Sequence, residues 1–220
     1  MDDRAIGRAA FLGLLGTGIA GLFFARDVTG FVGRIMPDGP AFIPGSGSWR
    51  IYTIGNGIRR IDPAAYRLRI DGAVERPVTL TLAEIERLPV ARQVSDFHCV
   101  TGWSVTNVRW RGVRFADLLD LAGPTPGARS LRFVSDEPRY DDSLTLAQAA
   151  LPDAMLALEM DDKPLSQAHG GPARVVMPQM YGYKSVKWVT HIEVREDVVP
   201  GYWEQNGYDA DAWIGRSNGL

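Results

Sequence analysis

The hydrophobic pattern divides the chain into a uniformly apolar N-terminal stretch and a longer part in which apolar and polar positions alternate. Residues 9–25 carry no charged side chain, whereas a helix packed on a protein core has a polar face. This length is near the lower limit for spanning a bilayer, and the arginines before it are typical of a signal peptide. The alternative is a helix buried inside the fold. We expect a signal peptide or membrane anchor at 1–28, a glycine- and proline-rich linker at 29–50 and a folded domain at 51–220.

Alternating and helical spacings predict short strands and helices throughout the folded domain. Apolar residues recur at helical spacing from Phe115 to Ala122, and Gly123 follows as a helix terminator. Thr81 and Glu84 form a capping-box pattern that opens a short helix. Predicted strands cover residues 66–71, 78–80, 93–99, 131–135, 174–177 and 186–194. The long connections between strands predict an α+β fold with a mixed sheet, and we expect the aromatic C-terminal stretch 201–220 to wrap around it.

Composition and charge exclude several classes of function. Apolar residues make up 45% and charged residues 23% of the chain, which is typical of a globular protein. A net charge of −2 gives no basic field that would attract nucleic acid, so we expect no nucleic-acid partner. Cys99 is the only cysteine, which excludes an intrachain disulfide and a zinc site built from several thiolates.

The first tract with candidate chemistry surrounds Cys99. This cysteine lies at the end of a predicted strand, next to His98 and just before a Thr101-Gly102 turn. A thiolate in such a place can serve as a nucleophile or as a ligand for a soft metal. Two alternatives remain open at this stage: a small buried hydrophobic residue, and a cysteine hydrolase that uses His98 or His169.

Two further tracts contain groups that suit an anion. A Gly-Gly-Pro turn lies between His169 and Arg174, and we expect its backbone amides and the guanidinium to form a concavity for phosphate. Lys184 and Lys187 flank Ser185 in the next tract and supply ammonium and hydroxyl groups. The alternatives are an ordinary loop for the first tract and a strand with solvated lysines for the second.

These tracts, in this order, resemble the sulfite oxidase family of molybdopterin enzymes, and especially its small exported methionine-sulfoxide reductase catalytic subunits. The resemblance spans about residues 50–215 and is carried by His98–Ser104, Trp110–Val113, Gly171–Arg174 and Tyr181–Trp188. It implies a mixed-sheet, sulfite-oxidase-type domain, preceded by the apolar N-terminal helix. It also implies a Mo-molybdopterin cofactor with one molybdenum ion.

The resemblance assigns roles to individual residues. Cys99 occupies the place of the family's molybdenum-binding thiolate, and His98 beside it is the second expected catalytic residue. Cofactor contacts are implied for Tyr52, Thr53, Cys99, Ser135, His169, Arg174, Ser185, Val186 and Lys187. The reductases carry asparagine at the positions of Trp49 and His169, so this chain departs from their pattern there.

The implied activity is oxygen-atom transfer, with reduction of a small sulfoxide-type substrate by electrons from a membrane partner. The catalytic domain is then expected outside the cytoplasmic membrane. Residues 7–13 keep Arg8 and the Phe-Leu of a twin-arginine signal but place Ala9 where the second arginine belongs, so export by that route is a hypothesis. Two alternatives remain: a sulfite-oxidising enzyme of the same family, and a membrane-tethered binding module that lacks metal.

Overall fold

The computed structural model describes residues 49–55 and 57–216. The predicted N-terminal helix and nearly all of the linker lie outside these residues. The chain divides into two compact units. The described part of the first unit lies within residues 50–57 and contains neither helix nor strand. The described part of the second unit consists of Trp49 and residues 58–216. No helix in the described part of the chain is long and apolar enough to cross a bilayer.

The second unit contains short strands and shorter helices, with 3₁₀ helices at 167–169, 182–184 and 204–206. The strands are β1 (Arg67–Gly72), β2 (Val78–Thr81), β3 (Ala91–Cys99), β4 (Trp103–Arg114), β5 (Ser130–Ser135), β6 (Asp141–Thr145), β7 (Met155–Met160), β8 (Lys163–Pro164), β9 (Arg174–Val176) and β10 (Val189–Arg195). The α-helices are α1 (Leu82–Ile85), α2 (Phe115–Ala122) and α3 (Leu146–Ala149).

Two sheets organise this unit. The first has the strand order β2-β1-β10-β5-β6. Strands β1 and β10 run parallel and the other neighbours run antiparallel, which confirms the mixed sheet. The second sheet has the order β3-β4-β7-β8, with β9 paired to β7, and is antiparallel throughout. Strand β3 of its long β3–β4 hairpin ends at Cys99, and β9 begins with Arg174. This sheet therefore carries both the Cys99 tract and the end of the His169–Arg174 tract.

A hydrophobic core forms between the elements predicted from apolar periodicity. Leu68 and Ile70 on β1 are fully buried, as the alternation predicts. Helix α2 buries Phe115 and Leu118, and the Phe115 ring lies 5.0 Å from that of Phe133 on β5. Trp203, Tyr208 and Trp213 pack against the same core from the C-terminal stretch, which confirms that this stretch wraps around the domain.

Several element boundaries agree with the predictions, and others differ for identifiable reasons. Helix α2 spans the predicted residues and ends at Gly123, which has a left-handed φ of 68°. The strand predicted at 186–194 begins only at Val189, because Trp188 has a φ of 52° that a strand cannot accommodate. Strand β6 was not predicted, because its residues include Asp142 and Ser143, which are polar but buried.

Candidate cofactor site

Cys99 lies at the tip of the β3–β4 hairpin, where the chain reverses in a tight turn. The turn is closed by the Gly102 N–H, which donates to the Cys99 carbonyl oxygen at 3.0 Å, and Gly102 has a φ of 88°. The thiol is free and partly exposed, and its Sγ lies 3.2 Å from the Thr101 Oγ1. The hairpin therefore presents a soft ligand at the end of a rigid pair of strands.

His98 precedes Cys99 in β3, but its ring is engaged elsewhere. Its Nδ1 lies 2.8 Å from the Ser104 hydroxyl on β4. Because successive side chains of a strand point to opposite faces, this contact lies on the face away from the Cys99 sulfur. The expected catalytic role of His98 stays a prediction.

Arg174 is a buried cation held by main-chain oxygens. Its guanidinium donates to the carbonyl oxygens of Val175, His169 and Ser185 at 3.3, 3.1 and 3.0 Å. The Phe97 and Trp110 rings lie 5.5 and 5.6 Å from its central carbon. Burial lowers the pKa of Arg174 to about 10, and none of the described carboxylates forms an ion pair with it.

The predicted residues Ser185, Val186 and Lys187 form a loop in which each residue is held by a hydrogen bond; we call it the pinned loop. The Met177 N–H donates to the Ser185 hydroxyl at 3.2 Å. The Val175 N–H donates to the Val186 carbonyl oxygen at 2.8 Å. The Ser135 hydroxyl, from the end of β5, donates to the Lys187 carbonyl oxygen at 2.8 Å. Ser135 therefore fixes the main chain of the loop.

The Lys187 side chain is a second cation in the same place. Its pKa is lowered to about 7, first by burial and then by the positive charge of Arg174, while the Glu137 carboxylate partly offsets this shift. Its Nζ lies 4.2 Å from the centre of the Trp188 ring. Gly170 packs against its stem so closely that a Cβ at position 170 would lie 2.8 Å from the Lys187 Cβ.

His169 completes the group with a polar atom that has no partner. Its Nδ1 is buried and makes no hydrogen bond within the described part of the chain. Burial, followed by the charges of Arg174 and Lys187, lowers the His169 pKa to about 4. The imidazole is therefore neutral at pH 7, and Nδ1 is available to a ligand.

Trp49 connects this cationic group to the Cys99 hairpin. The centre of its ring lies 4.9 Å from those of both Phe97 and His169, and 6.3 Å from that of Trp103. Trp103 is the cross-strand partner of Cys99, and Phe97 shares a face of β3 with Cys99 because the two residues are two positions apart. The aromatic cluster thus lies between the Cys99 hairpin and the group formed by His169 and Arg174.

Tyr52 and Thr53 lie in the irregular described stretch that belongs to the first unit. Their expected contacts with the cofactor stay predictions.

Two expectations about anion-binding groups are wrong. The Gly-Gly-Pro turn does not offer free amides, because the Gly170 and Gly171 N–H groups donate to the carbonyl oxygens of Gln167 and Ser166 at 3.1 and 2.9 Å. The Lys184 ammonium is not free to bind an anion. Its Nζ is buried and donates to Asp142 at 2.8 Å and to Glu204.

The described residues contain no cluster of three or more His, Cys, Asp or Glu side chains that could hold a metal ion. A metal at Cys99 would therefore take most of its ligands from a cofactor or from solvent.

Comparison with known proteins decides the family. The family model described as the oxidoreductase molybdopterin binding domain matches residues 55–203, which include the hairpin, the Arg174 strand and the pinned loop. This chain belongs to that family. It is therefore an oxidoreductase with a molybdopterin-binding domain, and the resemblance to the sulfite oxidase family is confirmed.

Named relatives and a solved structure show which proteins this molybdopterin-binding oxidoreductase resembles. It is 33% identical to the uncharacterized oxidoreductase YuiH of Bacillus subtilis, over 69% of this chain and 77% of that protein. It is 34% identical to the putative protein-methionine-sulfoxide reductase subunit YedZ1 of Azospira oryzae, over 73% of this chain and 59% of that protein. The crystal structure of the sulfane dehydrogenase SoxCD from Paracoccus pantotrophus matches with a TM-score of 0.61 and 25% identity, over 65% of this chain and 41% of that one.

Proposed function

We propose that the chain binds Mo-molybdopterin and reduces a sulfoxide-type substrate by oxygen-atom transfer. In this proposal Cys99 holds the molybdenum. His169, Arg174, Ser185, Val186 and Lys187 hold the pterin and its phosphate, while Ser135 fixes their loop. Tyr52 and Thr53 add cofactor contacts, as the family resemblance implies, and His98 is proposed as a second catalytic residue because it is next to Cys99 in the sequence.

The observation that carries the proposal is the buried guanidinium of Arg174, with which none of the described carboxylates forms an ion pair. Arg174 and Lys187 both have lowered pKa values, and each lowers the pKa of His169 next to them. A bound phosphate would bring a negative charge to these two cations and accept charge-assisted hydrogen bonds from them. The unpartnered Nδ1 of His169 would gain a partner in the same event.

The Cys99 hairpin fits the metal end of the same cofactor. A thiolate is a ligand of the soft type that molybdenum accepts, and the tip of the hairpin leaves its sulfur partly exposed. When bound, the cofactor supplies two-electron oxygen-atom transfer. The chain's part is to hold the ligand sulfur, fix the pterin loop and surround the site with the rings of Trp49, Phe97 and Trp103.

The names of similar proteins and the N-terminal sequence support a proposal for the direction of the reaction and for its partners. The Azospira oryzae relative is named as a putative protein-methionine-sulfoxide reductase subunit, which supports a reductive role. We propose that a separate membrane protein supplies the electrons. We propose that residues 1–28 export or anchor the chain, so that the domain acts outside the cytoplasmic membrane. The second candidate is oxidation of a sulfur compound such as sulfite, favoured by the structural similarity to a sulfane dehydrogenase.

A paired dye assay on the molybdenum-loaded protein tests the direction. We expect methionine sulfoxide to oxidise a reduced viologen dye in the presence of the enzyme, and Cys99→Ser to abolish this activity. Lys163→Met changes an exposed lysine on β8 and should leave the rate unchanged. Reduction of an acceptor dye by sulfite, with no oxidation of viologen by the sulfoxide, would instead establish the oxidative candidate.

A reporter fusion tests the export proposal separately. Residues 1–50 fused to a reporter that is active only outside the cytoplasm should produce signal in a host with a twin-arginine system. Loss of the signal in a host that lacks that system would identify the route. A reporter that stays inside the cell would contradict the proposal.

A further inference from the structure

The sulfur of Cys99 has one polar neighbour among the described residues, and that neighbour is two positions along the same turn. The Thr101 Oγ1 lies 3.2 Å from Sγ, within hydrogen-bond distance for a sulfur acceptor. The Thr101 hydroxyl makes no other hydrogen bond in the described part of the chain, so it is free to rotate towards the sulfur. The Gly102 N–H, the next donor in the turn, is already used by the Cys99 carbonyl oxygen at 3.0 Å.

We infer that the Thr101 hydroxyl donates a hydrogen bond to the Cys99 sulfur and thereby raises the reduction potential of the metal bound there. A metal-bound thiolate has no proton, so the hydroxyl is the donor. A hydrogen bond to a ligand sulfur withdraws electron density from it and weakens its donation to the metal. Hydrogen bonds of this kind tune the potentials of thiolate-bound copper and iron–sulfur centres. Thr101 is thus a positioning residue that acts through Cys99.

The turn makes this contact a fixed feature of the site. Gly102 has a φ of 88°, a conformation that glycine adopts without strain, and the Gly102 N–H closes the turn on Cys99. Thr101 is exposed and packs against nothing in the core. Its hydroxyl therefore contributes little to folding, and its substitution should leave the fold intact. The inference rests on the proposed function, because it requires molybdenum on Cys99.

The test is a potentiometric titration of the molybdenum-loaded protein, followed by the electron paramagnetic resonance signal of Mo(V). A mediator at known potential supplies or removes one electron per metal in each step. Thr101→Val removes the hydroxyl but keeps the shape, and Thr101→Ser keeps the hydroxyl. Thr106→Val makes the same chemical change at an exposed position of β4 and serves as the matched control.

We expect Thr101→Val to shift the Mo(VI)/Mo(V) midpoint to lower potential, by about tenfold in the equilibrium constant or about 59 mV for one electron. Thr101→Ser and Thr106→Val should keep the wild-type midpoint. An unchanged midpoint in loaded Thr101→Val would overturn the inference while leaving the proposed function in place. If Thr101→Val fails to load, Thr101→Ala replaces it, and failure of both to load in a folded protein would overturn the tuning role.

A folded wild-type protein without molybdenum would instead overturn the proposed function, and the inference with it. Metal analysis of each preparation before titration separates these outcomes. The titration therefore distinguishes failure of the site from failure of the Thr101 assignment.

Discussion

Arg174 and Lys187 show at the residue scale what the proposed anion site would cost the cofactor-free protein in stability. Both are cations in places where burial disfavours charge, and their mutual repulsion adds to that cost. Carbonyl oxygens satisfy the Arg174 donors but cannot neutralise its charge. A bound anion, such as the phosphate of the proposed cofactor, would reduce both penalties.

Lys187 therefore makes the stability of the cofactor-free protein depend on pH. In the unfolded chain a lysine holds its proton to about pH 10.4, whereas in the folded protein Lys187 loses it near pH 7. The unfolded state then binds more protons between these values, so stability rises with pH by up to about tenfold per pH unit in the folding equilibrium. Urea unfolding of the cofactor-free protein at pH 7 and pH 9 measures this gain.

Lys187→Met should abolish that gain in stability and also reduce cofactor retention. Lys163→Met, on the exposed strand β8, is the matched control and should behave as wild type. An equal gain between pH 7 and pH 9 in wild type and Lys187→Met would show that Lys187 is not the titrating group.

Capping motifs and apolar periodicity predict helices and strands well where the apolar residues of the pattern are the ones that are buried. The capping boxes are an example: Thr81 with Glu84, predicted from the sequence, and Thr145 with Gln148 both accept and donate the reciprocal hydrogen bonds. Strand β7 was not predicted, because its apolar run is equally typical of a short buried helix. In β4 a register shift around Asn107, which has a φ of 57°, interrupts the alternation, so the periodicity does not indicate a clear strand.

The Thr145 cap should stabilise the protein without affecting the site. Thr145→Ala removes an acceptor for the Gln148 N–H and should cost about 1 kcal/mol. For a domain of this size that corresponds to a fall in Tm of about 2–4 °C, measurable by thermal unfolding. Thr145→Ser keeps the cap, so its Tm should fall much less. The molybdenum content should be unchanged in both variants. A large loss of molybdenum in Thr145→Ala would contradict the separation of cap and site.

At the scale of the whole molecule, a buried charge cluster fastens the C-terminal stretch to the domain. The Lys184 Nζ donates to Asp142 on β6, to the Ser143 carbonyl oxygen and to Glu204 in the C-terminal 3₁₀ helix. Burial opposes the charge of Lys184, but the two carboxylates outweigh it and raise its pKa. Burial, partly offset by Lys184, raises the Asp142 pKa to about 7. This cluster is structural.

Lys184→Met should therefore destabilise the protein far more than a surface substitution. It leaves Asp142 and Glu204 buried without a counter-charge, which costs about 3–5 kcal/mol in comparable pairs. The deficit in chemical unfolding should shrink at pH 5, where the carboxyl groups can take up protons. Loss of stability similar to that of Lys163→Met would contradict the structural role.

The candidate site was predictable from sequence only in part. Motif residues such as Cys99 and Arg174 carried the family resemblance, and the family match confirms it. The aromatic cluster of Trp49, Phe97 and Trp103 could not be predicted, because residues far apart in sequence meet only through strand register and tertiary packing. The same limit applies to Lys184. Its spacing from Lys187 predicts that both lysines bind one anion, whereas in the fold Lys184 contacts the buried carboxylates of Asp142 and Glu204.

The most direct test of the account is the molybdenum content of the wild-type protein, made in a host that synthesises the molybdenum cofactor and measured by inductively coupled plasma mass spectrometry. We predict close to one molybdenum per chain, with less in Lys187→Met than in Lys163→Met. Cys99→Ser should lose activity whether or not the pterin contacts retain the metal. A folded wild-type protein that contains no molybdenum would contradict the central claim and favour a binding module without metal.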